Sequence, residues 1–350
     1  MLGKIQGINI DFIASAISAK RIPVKDLCAD LLTEKRAARL SRGTGFYSLS
    51  IADPGVCASD MCVSAIRGGE ACGHIKKNEI GALIFVTQTP DQTAPATAFF
   101  IQQQIGLDND VVCFDVRLGC SGFSHGLYIA ANMLQSMGEK KILLCCGDTI
   151  SRNAYHGDLS FKSISADAGA VAVISRCENP DYQMYFNINS YGSMYDVITH
   201  ERGGYRKNKI TDTSGTLLDI PDNYGKMNGT KVMDFSIYDV SANIRSLLRY
   251  MNISADDVDV AIFHQANKMI VSSLAEKIGI ATDKAVFNCE NIGNTSCASI
   301  PVAISEMYKN GEWERFSHAR VLLSGFGVGM TISSLVLNME HTKILETLEI

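Results

Sequence analysis

Asp115-Val116-Arg117-Leu118-Gly119-Cys120-Ser121-Gly122-Phe123 places a thiol at a strand-to-helix corner. Upstream, Val111 to Val116 reads as a buried strand, an apolar β-rich run broken only by Asp115. Downstream, Phe123, Leu127, Ala130 or Ala131, and Leu134 recur at helical spacing. Gly119 and Gly122 permit a tight turn and a close approach of backbone. A thiol at a helix start feels the positive end of the helix dipole, which favours thiolate. Alone, such a cysteine is better explained by packing than by chemistry.

Partners for it lie downstream. Val258 to Phe263 reads as a strand, and Ala266, Met269, Ile270, Ser273, Leu274 and Lys277 trace one face of a following helix. His264 in Phe263-His264-Gln265-Ala266-Asn267 therefore stands at a second strand-to-helix corner. Asn291-Ile292-Gly293-Asn294-Thr295-Ser296 is a polar loop that offers Asn294 as a neutral hydrogen-bond donor. Ser324-Gly325-Phe326-Gly327-Val328-Gly329 follows the strand Arg320 to Leu323, and its glycines can expose backbone N–H groups to an oxyanion. A nucleophilic thiol, an imidazole, a neutral amide and an N–H-rich loop suit acyl transfer.

With these pieces in this order the chain resembles the β-ketoacyl-acyl-carrier-protein synthase III family of the thiolase superfamily. The matching pieces are Gly-Cys-Ser-Gly-Phe at 119–123, His-Gln-Ala-Asn at 264–267, Asn-Ile-Gly-Asn-Thr-Ser at 291–296 and Gly-Phe-Gly-Val-Gly at 325–329. Weaker matches are Gly-Thr-Gly-Phe at 43–46, Ala-Asp-Ala-Gly-Ala at 166–170 and Met227-Asn228-Gly229 before a long helix. The resemblance implies an α/β thiolase fold, two pseudo-repeated βαβαβ halves in five layers (αβαβα). Residues 1–178 would form the half that carries the cysteine, and residues 179–350 the half that carries His and Asn.

The same resemblance implies a mechanism. Cys120 would take an acyl group from a thioester, with the N–H groups of Cys120 and Val328 steadying the oxyanion. His264 and Asn294 would stabilise the enolate of a decarboxylating malonyl thioester, which attacks the acyl-cysteine to give a β-ketoacyl thioester. The alternative keeps the acyl-cysteine but moves the acyl group to an amine or hydroxyl without condensation. Arg152, Asn267, Ala94, Phe326 and Val328 are the expected substrate contacts. No cofactor is expected to stay bound; acyl-CoA or acyl-carrier-protein thioesters would be substrates, acyl carrier protein a partner, and a homodimer the assembly. A papain-like protease shares the Cys-to-His separation of 144 residues and the Asn, but not the Cys-Gly-Ser-Cys-Trp context or the chain order in the fold, and an inactive thiolase-fold copy need not keep all three groups.

Departures from the family pattern fall on the substrate side. The usual arginine and preceding tryptophan that clamp an adenine are replaced by Gly43 and Arg39, with Arg42 adjacent. Lys268-Met269 stands where Leu-Arg is usual, and Asp234 replaces a carrier-facing lysine, with Lys231 near. Arg152 still matches a family arginine near the nucleotide. Ala94 occupies the place of a bulky aromatic that closes the partner's acyl pocket across the dimer, so longer or branched acyl chains are expected unless Phe99 or Phe100 refills the space. Arg117 replaces a small residue without an assignable role.

At 350 residues, 46% hydrophobic and 20% charged, the chain is long enough for a large core. A net charge of −5 gives no reason to expect nucleic-acid binding. No apolar run approaches the roughly 20 residues of a membrane span, and Met1 to Ile10 lacks a signal-peptide pattern, so a cytoplasmic protein is expected. Eleven cysteines, an odd number, without a secretory signal argue against a disulfide framework. The gaps among Cys57, Cys62, Cys72 and His74 do not suit zinc, so no metal is expected. Strands are expected at Ala82 to Thr87, Val111 to Val116, Lys141 to Cys146, Ala170 to Ile174, Val258 to Phe263, Arg320 to Leu323 and Ile332 to Asn338. Helices are expected at 93–105, 121–137, 230–251, 265–279 and 298–309. The span 187–229 reads as loop or cap, and Arg206-Lys207-Asn208-Lys209 within it as a solvated surface.

Overall fold

The strand Ile8–Ile17 shows how the sheets are built. Ile8, Ile10, Ile13 and Ile17 enter one core cluster while Phe12, Ala14 and Ala16 enter another. Successive side chains of a strand point to opposite faces, and a bulge between Ile10 and Phe12 shifts that parity by one residue. The strands Ile80–Val86 and Lys141–Thr149 divide in the same way, with Ile84 and Leu144 on the inner face and Phe85 and Cys145 on the outer. Both faces of the sheet are therefore covered.

The computed structural model describes residues 1–350 except 180, 202–203, 205, 207–210, 212, 217 and 317–319. Of the basic stretch noted above, Lys207, Asn208 and Lys209 lie outside the described residues. Two mixed sheets organise the rest. The seven-stranded sheet runs Lys343–Ile344, Ile8–Ile17, Asp167–Arg176, Lys141–Thr149, Ile80–Val86, Val112–Val116, with Leu348–Glu349 also pairing with Ile8–Ile17. The five-stranded sheet runs Leu2–Gln6, Gln183–Ser190, Thr331–Asn338, Arg320–Gly327, Val260–Phe263. The helices Gly122–Leu134 and Ser299–Lys309 share one cluster with the inner faces of both sheets. Helices Ala58–Ala71 and Thr97–Ile105 cover the outer face of the first sheet, and Ser241–Met251 and Lys268–Ile278 that of the second. Helix, sheet, helix, sheet, helix is the five-layered order expected. Each buried Leu or Phe in these layers contributes roughly 2 kcal/mol, so register is strongly specified.

The sheets do not follow a simple cut of the chain at 178/179. Leu2–Gln6 pairs antiparallel with Gln183–Ser190, and the C-terminal strands pair with Ile8–Ile17, so each terminus is built into the other half's sheet. Three sequence expectations are corrected. Val112–Val116 is an edge strand rather than a buried one, with Val112 52% exposed. The span 187–229 is not free of regular structure: Gln183–Ser190 is a central strand, and Ile198–His200 pairs with Gly225–Met227. The helix 230–251 is divided by a π-helical segment, Phe235–Val240, between Gly229–Asp234 and Ser241–Met251.

Candidate active site

Cys120 sits where strand Val112–Val116 turns into helix Gly122–Leu134. Asp115, the residue that interrupts the strand's apolar run, accepts from the N–H groups of Thr97 and Ala98 at 2.7 and 2.8 Å and so ties down the start of the neighbouring helix. Burial raises that carboxyl, and the bonds from the Ala98 and Thr97 N–H groups and the charge of exposed Arg117 counter it. The glycine loop closes over the thiol. A Cβ on Gly327 would lie 2.8 Å from Cys120 Cβ, and one on Gly325 would lie 3.0 Å from the Cys120 carbonyl. Only glycine allows this approach, and Gly327 also has φ 147°.

Cys120, His264 and Asn294 line one cavity of about 450 Å³. The cavity runs past Phe326 and Val328 to Asn267, so six of the eight expected site residues belong to it. Burial pushes the Cys120 thiol up to about 11, although the Ser296 hydroxyl and the N–H groups of Val328 and Cys120 pull the other way. The expected lowering by the helix start is thus outweighed by desolvation. His264 is buried, and burial pushes it down to about 3, so its imidazole is neutral at physiological pH. Its Nδ1 lies 2.7 Å from Ser299 Oγ, and Phe326 meets the ring edge-on with centroids 5.7 Å apart. Ser299 Oγ already accepts from Gln265 N at 3.4 Å. When its hydrogen turns to Nδ1, the ring proton sits on Nε2. Asn294 Oδ1 accepts from Ser296 N at 2.9 Å. A backbone N–H can only donate, so this bond assigns the amide and leaves Nδ2 available as a donor.

The Asn294 loop is held by the other half of the chain. Asn294 N donates to Ile164 O at 2.8 Å and Ala166 N to Asn294 O at 3.0 Å. Asn267 caps helix Lys268–Ile278 by accepting from Ile270 N at 2.8 Å. The remaining two expected residues lie elsewhere. Arg152 is exposed and donates to the backbone carbonyls of Asp53 and Val56 at 3.0 and 2.6 Å, outside the cavity. Ala94 is exposed on the surface just before helix Thr97–Ile105. Among the described residues no three metal-ligating side chains come together, and no helix is long and apolar enough to cross a membrane.

Three cavity-side groups escaped the sequence reading. Gln88 follows strand Ile80–Val86 as Gln265 follows Val260–Phe263, a parallel visible only once the sheets are paired. Ser296 sits inside the quoted polar loop, yet only its position beside Cys120 singles it out. Asp148 is fully buried at the end of strand Lys141–Thr149, where its Oδ1 accepts from Thr87 Oγ1, Gln88 N, Thr89 N and Thr89 Oγ1. Burial raises its carboxyl, and the Ser296 hydroxyl and these donors counter that.

The family profile described as 3-Oxoacyl-[acyl-carrier-protein (ACP)] synthase III matches residues 114–192, and its C-terminal counterpart matches residues 248–339. The beta-ketoacyl-[acyl-carrier-protein] synthase III of Streptococcus agalactiae is 33% identical over 262 residues, 75% of this chain and 78% of that protein. The chain belongs to the β-ketoacyl-[acyl-carrier-protein] synthase III family. A putative 3-oxoacyl-[acyl-carrier-protein] synthase 3 of Campylobacter jejuni is 27% identical over 333 residues, covering 91% of this chain and 92% of that one. A 3-oxoacyl-(acyl-carrier protein) synthase from Burkholderia xenovorans superposes with TM-score 0.90 at 28% identity, over 100% of this chain and 99% of the other. The fold is therefore the thiolase fold, as the layer order requires.

Proposed function

We propose that this synthase III family member is a decarboxylating condensing enzyme. An acyl group carried on Cys120 would be joined to a malonyl thioester, giving a β-ketoacyl thioester and carbon dioxide. The observation that carries the reading is the convergence of Cys120, His264 and Asn294 on one cavity, from two separate sheets. In loading, Cys120 attacks the thioester carbonyl, and the N–H groups of Cys120 and Val328 receive the oxyanion. In condensation, the donors are His264 Nε2–H and Asn294 Nδ2–H, directed at the malonyl thioester carbonyl as its enolate forms. A neutral imidazole suits this work, because it donates without surrendering a full proton. Asn294 cannot take a proton at neutral pH and is a stabiliser only.

Asn267 and Phe326 fit as contacts along the substrate path, and Arg152 fits as a brace for the loop at Asp53 to Val56. Coenzyme A and carrier-protein thioesters are the substrates this reading requires, with no permanently held cofactor and a cytoplasmic setting. A homodimer is favoured by the open edge of strand Val112–Val116, where Val112 is exposed, and by Phe99 beside it, 49% exposed on helix Thr97–Ile105. An unpaired edge with apolar side chains calls for a cover.

Intact-mass measurement after incubation with a panel of acyl thioesters tests loading. We expect one acyl adduct on Cys120 in the wild type and none in Cys120→Ala. An adduct on another cysteine overturns the assignment. Release of labelled carbon dioxide from malonyl thioester tests condensation, and acyl transfer to an amine or hydroxyl without that release would favour the non-condensing alternative.

A further inference from the structure

The loop that carries Asn294 brings a second side chain against the thiol. Ser296 Oγ lies 4.0 Å from Cys120 Sγ and 2.8 Å from Gln88 Nε2. The Ser296 backbone is held at φ 54°, an uncommon region for a residue with a side chain, by the bond from its N–H to Asn294 Oδ1. Gln88 is equally fixed. Its N–H donates to Asp148 Oδ1 at 2.8 Å, and its side-chain amide packs so closely on Gly119 that a Cβ there would meet it at 3.0 Å.

The direction of these bonds matters. A serine hydroxyl has one hydrogen and two lone pairs, whereas an amide nitrogen only donates. Gln88 Nε2 therefore occupies a lone pair of Ser296 Oγ and leaves the serine hydrogen to seek an acceptor. Among the described residues, the titratable groups facing the sulfur supply no positive charge. Asp148, at the end of strand Lys141–Thr149, disfavours the thiolate. Cys297 turns its own thiol to Asp148 Oδ2 at 3.4 Å. His264, from the second sheet, is neutral. A thiolate formed here needs donors rather than a cation.

We propose that Ser296 donates its hydroxyl hydrogen to the Cys120 thiolate, and that Gln88 is the positioning residue that turns the hydroxyl toward the sulfur. The inference deepens the acyl-cysteine reading and rests on it. In loading, the Cys120 sulfur forms a bond to the acyl carbon, the bond to the leaving sulfur breaks, and the leaving thiolate takes up the proton that Cys120 gave up. Ser296 holds the charge before attack and is free to turn to Asp148 once the sulfur is acylated.

Alkylation of Cys120 by iodoacetamide, followed site by site by peptide mass spectrometry from about pH 7 to about pH 12, reads the thiolate without any acyl substrate. In Ser296→Ala and in Ser296→Gly, which tolerates the positive φ, we expect the inflection to move up by about one pH unit and the rate near neutrality to fall about tenfold. In Gln88→Met, which keeps the length but loses the donor, the inflection moves the same way by about half as much. An unmoved inflection overturns the proposal, including the case where the rate falls or the protein is less stable without that shift. If the Ser296 variants fail to fold, Gln88→Met decides by the same criterion. Failure of the wild type to load any acyl thioester would sink the functional reading instead, and the alkylation profile would still stand as measured.

Discussion

The two sheets place different chemistry at corresponding corners. In the first, Ile80–Val86 is flanked by the edge strand Val112–Val116, and the chain leaves that strand for Cys120. In the second, Val260–Phe263 has the same position beside Arg320–Gly327, but its outer neighbour is reduced to a single parallel bridge between Ala261 and Ala285. The difference is functional. A full strand fixes the cysteine on a rigid corner, whereas the segment after Ala285 is free to leave its sheet. It crosses to the first half and is fastened there by Ile164 and Ala166, so that Asn294 faces Cys120 across the cavity. On the proposed reading, one half would hold the electrophile and the other would steady the developing carbanion.

That division can be broken from the second half alone. Asn294→Ala removes a donor to the enolate but leaves the Cys120 corner and its N–H groups in place. We expect acyl loading to persist while decarboxylation of malonyl thioester falls on the order of a hundredfold. Equal losses in both half-reactions would show that the two corners do not act separately. The variant also releases the N–H of Ser296, so loading is read against the alkylation rate of Cys120 to separate a change at the thiol from a change at the enolate.

His264 sharpens the same comparison through pH. Its folded-state value is about 3, against about 6.5 for an unperturbed histidine. Between these limits the unfolded chain binds a proton that the folded protein refuses, so stability is lost as pH falls. Wild type should lose about 2 kcal/mol more than His264→Gln between pH 7 and pH 5, read from urea unfolding. Burial raises the carboxyls of Asp148 and Asp167, and these act in the opposite sense, but they are common to both proteins and cancel in the difference. Equal losses in the two proteins would mean that His264 is charged in the folded state.

Much of this arrangement is legible in the sequence, and what is not has physical causes. The Cys120 corner is readable because strand and helix periods change there without interruption, and Phe123, Leu127 and Leu134 do face the core. Ile8–Ile17 is hidden because the bulge at Asp11 breaks its alternation. Gln183–Ser190 is hidden because its polar Asn187 and Asn189 look like loop residues. In the fold they are satisfied by Asn243: Asn187 Nδ2 donates to Asn243 O, and Asn243 Nδ2 to Asn189 Oδ1. The exchange of the termini joins residues far apart in the chain, and no local pattern encodes it. The thiol's environment is hidden for a related reason: a helix start is visible in sequence, but desolvation by residues from both sheets is not.

The smallest effect we expect lies at the rim of the first half. Ala94 is exposed and stands outside the cavity of its own chain, as a residue must if it serves a partner's pocket. A methyl there leaves volume that a ring would fill. In a homodimer joined along Val112–Val116, acyl donors longer than acetyl should therefore load Cys120 at least as well as acetyl. Ala94→Phe should shift the preference toward short donors by a few-fold, about 1 kcal/mol for a methylene or two of lost burial, while decarboxylation of the malonyl unit stays near wild type. The contrast with Asn294→Ala is the point of the measurement, since one variant changes which acyl group enters and the other what is done with it. An enzyme that loads acetyl alone, and does so equally well with Phe at 94, would mean that the exposed Phe99 or its neighbour Phe100 already closes the pocket.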